Sequence, residues 1–244
     1  MKDRFSLASD KYQQYRPVYP AALFTKLASL APGADLLWDC GCGTGQASVL
    51  AAEHFRQVIA TDLSLPQVAQ ARPCANVQYL AGRAEAAPLH SASCDVVLVA
   101  QALHWFNFDP FFSEIERVLK PGGLFVALTY NLLSIAPDID ELIRDFYSEA
   151  VGKFWDTERR HVENAYVDIP IPWQGPVLDD FAMRARWTPQ HLLGYLRTWS
   201  AVKNCQRVEG YDPVALIEGD VMRLWPEGER DVRWPLTVIV RYRP

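Results

Sequence analysis

Between residues 35 and 131 short apolar runs alternate with amphipathic stretches, and no other feature of the chain restricts its fold as much. The spacing predicts strands over Leu36 to Cys40, Val58 to Thr61, Val77 to Leu80, Cys94 to Ala100 and Leu124 to Tyr130. Between them, Ala47, Leu50, Ala51 and Phe55 share one face of a 3.6-residue period, and Leu65 to Ala71 allows a short helix ended by Pro73. Phe111, Phe112, Ile115, Val118 and Leu119 mark a further helix, which Lys120-Pro121-Gly122-Gly123 stops. The apolar run within Cys94 to Ala100 suits a parallel strand buried on both faces. Strands joined through helices need right-handed crossovers, so an α/β, doubly wound parallel sheet with helices on both faces is expected. Ligands of such sheets bind at the carboxyl ends of the strands, where Asp39, Asp62 and Ala100 to Trp105 fall.

Beyond residue 131 the rhythm lengthens. Ile139, Leu142, Ile143, Phe146 and Ala150 predict one helix, and Val214, Ile217, Val221 and Leu224 another after Asp212-Pro213. Phe181 to Trp187 and Leu236 to Arg241 read as two strands closing one sheet edge, which makes a mostly parallel seven-stranded sheet with helical additions after the fifth strand. The balance of 24 Lys plus Arg against 29 Asp plus Glu, with no basic cluster, lacks the footprint of a duplex nucleic-acid binder, so a small molecule is the expected partner. Apolar stretches fall short of the roughly 20 residues of a membrane helix. The N-terminus lacks a signal-peptide apolar region, and the five scattered cysteines suit free thiols, so a cytoplasmic location is expected. Cys40 and Cys42 have no companions to complete four ligands, and no metal is expected.

The run Asp39-Cys40-Gly41-Cys42-Gly43-Thr44-Gly45 carries the most chemistry. Glycines at a strand-to-helix turn let the backbone approach a ligand closely. A dinucleotide fold wants its third glycine at position 46, which is Gln46. Asp39 would repel a pyrophosphate but accept hydrogen bonds from an ammonium group, so a nucleoside bearing an amine is expected instead. Asp62, ending the second strand, can hold both hydroxyls of a ribose, while Ser64 is the better candidate for capping the next helix. Ala84 and Glu85 follow the third strand, where a backbone N–H and a carboxylate could meet an adenine edge; the alternative for Glu85 is plain solvation.

The set Asp39-x-Gly41-Cys42-Gly43-Thr44-Gly45, Asp62-Leu63-Ser64, Ala84-Glu85 and Leu119-Lys120-Pro121-Gly122-Gly123 resembles the class I S-adenosylmethionine-dependent methyltransferases, over about residues 34 to 131. Arg83 stands where many relatives carry an aspartate before the Ala-Glu pair. The flanks, including Asp10-x-Tyr12, Tyr15-Arg16-Pro17, Ala102-Leu103-His104-Trp105 and Thr198-Trp199-Ser200, look like the small-molecule subfamily related to trans-aconitate methyltransferase. The resemblance implies a Rossmann-like fold and S-adenosylmethionine as cofactor. It implies a cofactor set of Tyr12, Tyr15, Arg16, Asp39, Gly41, Cys42, Gly43, Gly45, Asp62, Leu63, Ala84, Glu85 and Gln101. It also implies a division of one domain, 1–244, into an N-terminal lid and first helix (1–33), a cofactor-binding core (34–131), and substrate-side helices with the last two strands (132–244). Arg16 would meet the methionine carboxylate.

Methyl transfer from a sulfonium needs positioning, desolvation and, for some acceptors, proton removal. His104, past the fourth strand, is the candidate base, because an ordinary imidazole titrates near neutrality; the alternative is a ring hydrogen-bonded to backbone beside Trp105. The expected acceptor is a small organic molecule, a carboxylate or a hydroxyl. Among the eight tryptophans, Trp199 suits either an apolar pocket or the buried face of a helix with Leu192, Leu193 and Leu196. The fourth strand lacks the Asn/Asp-Pro-Pro-Tyr run of amino-group DNA methyltransferases. The other class compatible with the pattern is a module that binds S-adenosylmethionine without catalysis and acts through a partner protein.

Overall fold

The computed structural model describes residues 15–244. Five strands run parallel: β1 (Leu36–Cys40), β2 (Gln57–Asp62), β3 (Val77–Ala81), β4 (Cys94–Ala100) and β5 (Leu119–Thr129). Two more complete a seven-stranded sheet of order β3-β2-β1-β4-β5-β9-β6, in which β9 (Thr237–Tyr242) lies antiparallel to β5 and the two-residue β6 (Val177–Leu178) lies antiparallel to β9. The predicted fold class is thus the one observed. Chain order reverses between β1 and β4, which creates the crevice where ligands of such sheets bind.

Period-two alternation divides the strands between two cores. Leu37, Val58, Val96, Leu98, Val126 and Leu128 face one, Trp38, Val97, Val99, Phe125 and Ala127 the other, all buried. Helices α1 (Ala21–Leu30) and α2 (Gln46–Ala51) cover the first face through Leu23, Phe24, Leu27, Ala47 and Ala51. After α3 (Leu65–Ala69), helix α4 (Phe108–Val118) covers the second face through Phe111, Ile115 and Val118. The Lys120-Pro121-Gly122-Gly123 segment is a bulge inside β5, where the pairing jumps from Cys94 opposite Leu119 to Val96 opposite Leu124.

The last third departs from expectation in one respect. Phe181 to Trp187 does not close the main sheet: β7 (Ala182–Trp187) pairs antiparallel with β8 (Arg230–Pro235) in a separate ribbon. The reason lies in its alternation, since Met183 and Trp187 are buried while Arg184 and Arg186 are exposed, a pattern for one covered face rather than two. Helices α5 (Pro137–Asp145), α6 (Arg159–Glu163), α7 (Pro189–Leu196), α8 (Ser200–Glu209) and α9 (Ala215–Leu224) surround this ribbon and the sheet edge. Among the described residues no helix is long and apolar enough to cross a membrane.

Candidate active site

The turn after β1 is held first by backbone. Gly41 and Cys42 donate their N–H groups to the Thr61 carbonyl at 2.8 and 3.0 Å. Gly41, Gly43 and Gly45 all have positive φ, between 56° and 81°. At Gly41 a side chain would also collide, because a Cβ would lie 2.7 Å from that of Ala102, so glycine brings the turn against the loop that follows β4. Asp62 fastens the turn to β2: one carboxylate oxygen accepts from Gly43 N–H and the other from Ser64 N–H, each at 2.8 Å. That second bond turns the chain at Ser64, the residue just before α3, whose own side chain makes no cap.

Two adjoining clefts open at the carboxyl ends of these strands. Gly41, Cys42, Gly43 and Asp62 line the first, and Arg16, Gln101, Trp105 and Tyr130 form a wall common to both. Gln101 has φ +56°, a conformation that a non-glycine residue seldom adopts and that is fixed here from two sides. Its side-chain amide donates to the Tyr130 carbonyl and accepts from the Tyr130 N–H, both at 2.9 Å. Arg16 donates to the Tyr130 hydroxyl at 2.8 Å and lies over the Tyr195 ring.

Other residues singled out from the sequence sit around the first cleft rather than in its wall. Asp39 is fully buried beneath the turn: one oxygen accepts from the Ser48 hydroxyl at 2.5 Å and the other has no partner. Burial pushes its pKa up to about 7, against the hydrogen bond from Ser48, and the charge of Asp62 adds to the rise. Gly45 leaves room for the Tyr79 ring. Ala84 is buried in the second core, and Glu85 accepts from the Asn107 N–H and pairs with Arg83 at 3.6 Å. Leu63 is half-buried beside Asp62. Tyr15 packs edge-on against His191 and fills the space above Gly194, where any Cβ would strike its ring. Tyr12 lies outside the described residues.

The second cleft is built from His104, Asn131, Trp155, Arg159, Thr198 and Trp199, besides the common wall. His104 is buried and shares a 2.9 Å hydrogen bond through Nδ1 with the Tyr166 hydroxyl. This corrects the expectation of a ring titrating at neutral pH: burial, with the nearby positive charge of Arg159, pushes its pKa down to about 3. Its partner is a tyrosine hydroxyl rather than backbone. Trp199 is 5% exposed in the first core and yet reaches this cleft, so the two readings of it are compatible; it stands just before α8 instead of sharing α7 with Leu192. Tyr130, Tyr166 and Arg159 escaped sequence reasoning because each acquires its place through contacts tens of residues away. The nearest signal was the position of Tyr130 just past the fifth strand.

A family described as "Methyltransferase domain" matches residues 38–127, the stretch from β1 to β5. A solved structure from Anaeromyxobacter dehalogenans, described as a type II methyltransferase, is 39% identical and superimposes with a TM-score of 0.85, over 93% of this chain and 97% of that one. The chain belongs to the S-adenosylmethionine-dependent methyltransferases. A methyltransferase of Dictyostelium discoideum is 29% identical over 98% of this chain and 94% of its own length. A malonyl-[acyl-carrier protein] O-methyltransferase of Marinomonas is 37% identical over 57% of this chain and 54% of its own length. The methyltransferase uses S-adenosylmethionine, and its residues fit that group: a buried carboxylate oxygen without a partner, a second carboxylate in the cleft wall, and a turn bare of side chains at Gly41 and Gly43.

Proposed function

We propose that this methyltransferase transfers a methyl group to an oxygen, carboxylate or hydroxyl, of a small organic acceptor in the second cleft, with S-adenosylmethionine in the first. The carrying observation is the common wall of Arg16, Gln101, Trp105 and Tyr130, which sets the two clefts in contact. The O-methyltransferase activity in the name of the Marinomonas relative and the likeness of the flanks to the trans-aconitate methyltransferase-related subfamily support oxygen as the accepting atom. Residues 1–33 serve as lid and first helix, 34–131 as cofactor core and 132–244 as acceptor side. The free cysteines suit work in the reducing cytoplasm.

When bound, the cofactor supplies an electrophilic methyl on a sulfonium, so the chain's task is to place and dry the acceptor. Asp62 holds the ribose hydroxyls, with Leu63, Ala84 and Glu85 toward the base. Asp39, Gly41, Cys42, Gly43 and Gly45 form the seat for the methionine end, with Arg16, Tyr15, Tyr12 and Gln101 closing it. Trp105, Trp155 and Trp199 exclude water from the acceptor. His104, neutral at pH 7, orients the acceptor by hydrogen bonding and carries no charge. The test is incubation with isotopically labelled S-adenosylmethionine and a panel of carboxylic acids and alcohols, with the site of labelling read by mass spectrometry. Label on an oxygen is expected; label on nitrogen or carbon alone overturns the reading.

A further inference from the structure

Arg159 is the cation of the second cleft whose own neighbours leave its charge unanswered. Its Nε–H donates to the Tyr147 hydroxyl at 2.9 Å and an Nη2–H to Asn131 Oδ1 at 2.8 Å, both neutral oxygens. Among the described residues no carboxylate comes within ion-pair distance of it, and the remaining N–H groups of a five-donor guanidinium are uncommitted. Glu163 reaches it only through the Tyr147 hydroxyl, which donates to Glu163 while accepting from Arg159. The guanidinium is nevertheless fixed in orientation, lying 4.8 Å over the Trp155 ring and 5.5 Å over that of Tyr147. A solvated surface arginine has no need of such a mount; a planar fork held in register by two rings is suited to a bidentate anion.

The surroundings point the same way. The chain as a whole carries five more acidic than basic residues, yet among the described residues the second cleft is lined by Arg16 and Arg159 against the single carboxylate of Asp156. Arg159 belongs to this cleft and to the surface groove beside Glu163, but not to the wall common to the cofactor cleft, which Arg16, Gln101, Trp105 and Tyr130 form. An anion on Arg159 is therefore held at the end of the acceptor away from the methyl donor.

The geometry points to Arg159 as the residue that selects the acceptor: a molecule bearing an anionic group, best a carboxylate, which is bound and not methylated, with a separate oxygen at the common wall that receives the methyl. This rests on the proposed O-methyl transfer for the second group, but not for the first. The acceptor is thus at least bifunctional, and simple alcohols or monocarboxylates are poor substrates.

The probes are short dicarboxylic and hydroxycarboxylic acids and the same molecules with every carboxylate replaced by a carboxamide. They are added to the full chain saturated with S-adenosylhomocysteine, and binding is followed by calorimetry and tryptophan fluorescence. Acids should bind where their amides do not. Arg159→Leu should weaken acid binding by about tenfold to a hundredfold while S-adenosylhomocysteine affinity stays unchanged, as expected for loss of charge-assisted hydrogen bonds. Arg159→Lys, which keeps the charge and loses the fork, should recover part of it. Equal binding of acids and amides, or acid binding unaltered in Arg159→Leu, overturns the assignment. The methyl position in any product separates the two readings: binding that depends on Arg159 with label on no oxygen refutes the oxygen acceptor and leaves the anion anchor standing.

Discussion

The two clefts share a wall but are built by different means. The first cleft, proposed for the cofactor, is made chiefly of backbone at the ends of consecutive parallel strands, with glycines, a Thr61 carbonyl and a carboxylate that ties one strand end to the next. The second cleft, proposed for the acceptor, is made of side chains brought from residues 104, 130, 155, 159 and 198, standing on short helices and irregular segments. Recognition by backbone tolerates little change in sequence, whereas recognition by side chains on loops can be altered one residue at a time without disturbing the sheet. On the proposed assignment the donor side is fixed by the fold and the acceptor side is free to define the individual enzyme.

The largest expected effect lies on the fixed side. Asp62→Ala removes the acceptor of two backbone N–H bonds and the carboxylate of the cleft wall together. With charge-assisted bonds worth about 1.5–3 kcal/mol each, S-adenosylhomocysteine affinity should fall by roughly tenfold to a thousandfold in calorimetry. Affinity equal to wild type would break the contrast, because the cofactor would then be held by something other than this turn.

A smaller change tests how the N-terminal residues join the two sides. Gly194 sits inside α7, where alanine is favoured by about 0.8–1 kcal/mol in an exposed helix, but the added methyl would meet the Tyr15 ring. Gly194→Ala should therefore leave the melting temperature of the free enzyme nearly unchanged while lowering S-adenosylhomocysteine affinity by about threefold to tenfold, through displacement of neighbouring Arg16. Tyr15→Ala should do the same, and the double variant no more than either, as for residues in direct contact. A large fall in melting temperature with full affinity would make this contact one of packing alone.

The subtlest effects are in protons, and the two clefts differ in sign. His104, held down to about 3, contributes stability that is complete above the ordinary histidine value near 6.5 and is lost as pH falls toward 3. Asp39, raised from 3.8 to about 7, contributes stability present below about 4 and lost as pH rises through 7. Turnover should hence show no inflection from His104 between pH 5 and 8. Binding of a cationic cofactor beside Asp39 should release a fraction of a proton near pH 6.5, seen as a dependence of the calorimetric heat on buffer ionisation enthalpy. Asp39→Asn should abolish that release; a release that persists would assign it to another group.

The same contrast explains what could be read from the sequence. The five parallel strands and the glycine turn were legible because apolar runs and a glycine cluster are local patterns, and Asp62 ends the strand next to β1, although it reaches Gly43 across 19 residues. Phe181–Trp187 was legible as a strand but not as to its partner, since one-sided alternation fits any sheet with one covered face, and Arg230–Pro235 hides its pairing behind Asp231 and Arg233. His104 was placed correctly beside a cleft, but its depressed pKa comes from burial under Tyr166, 62 residues away. Arg159 carried no signal at all: its meaning depends on having neutral partners and, among the described residues, no carboxylate within ion-pair distance, which only the folded arrangement reveals.

A wall common to two sites has a thermodynamic corollary. Tyr130 is gripped from one side by the Gln101 amide and from the other by Arg16, so an occupant of either cleft that moved Tyr130 would alter the wall of the second. Linkage then requires that whatever factor the acceptor contributes to donor affinity, the donor returns to acceptor affinity.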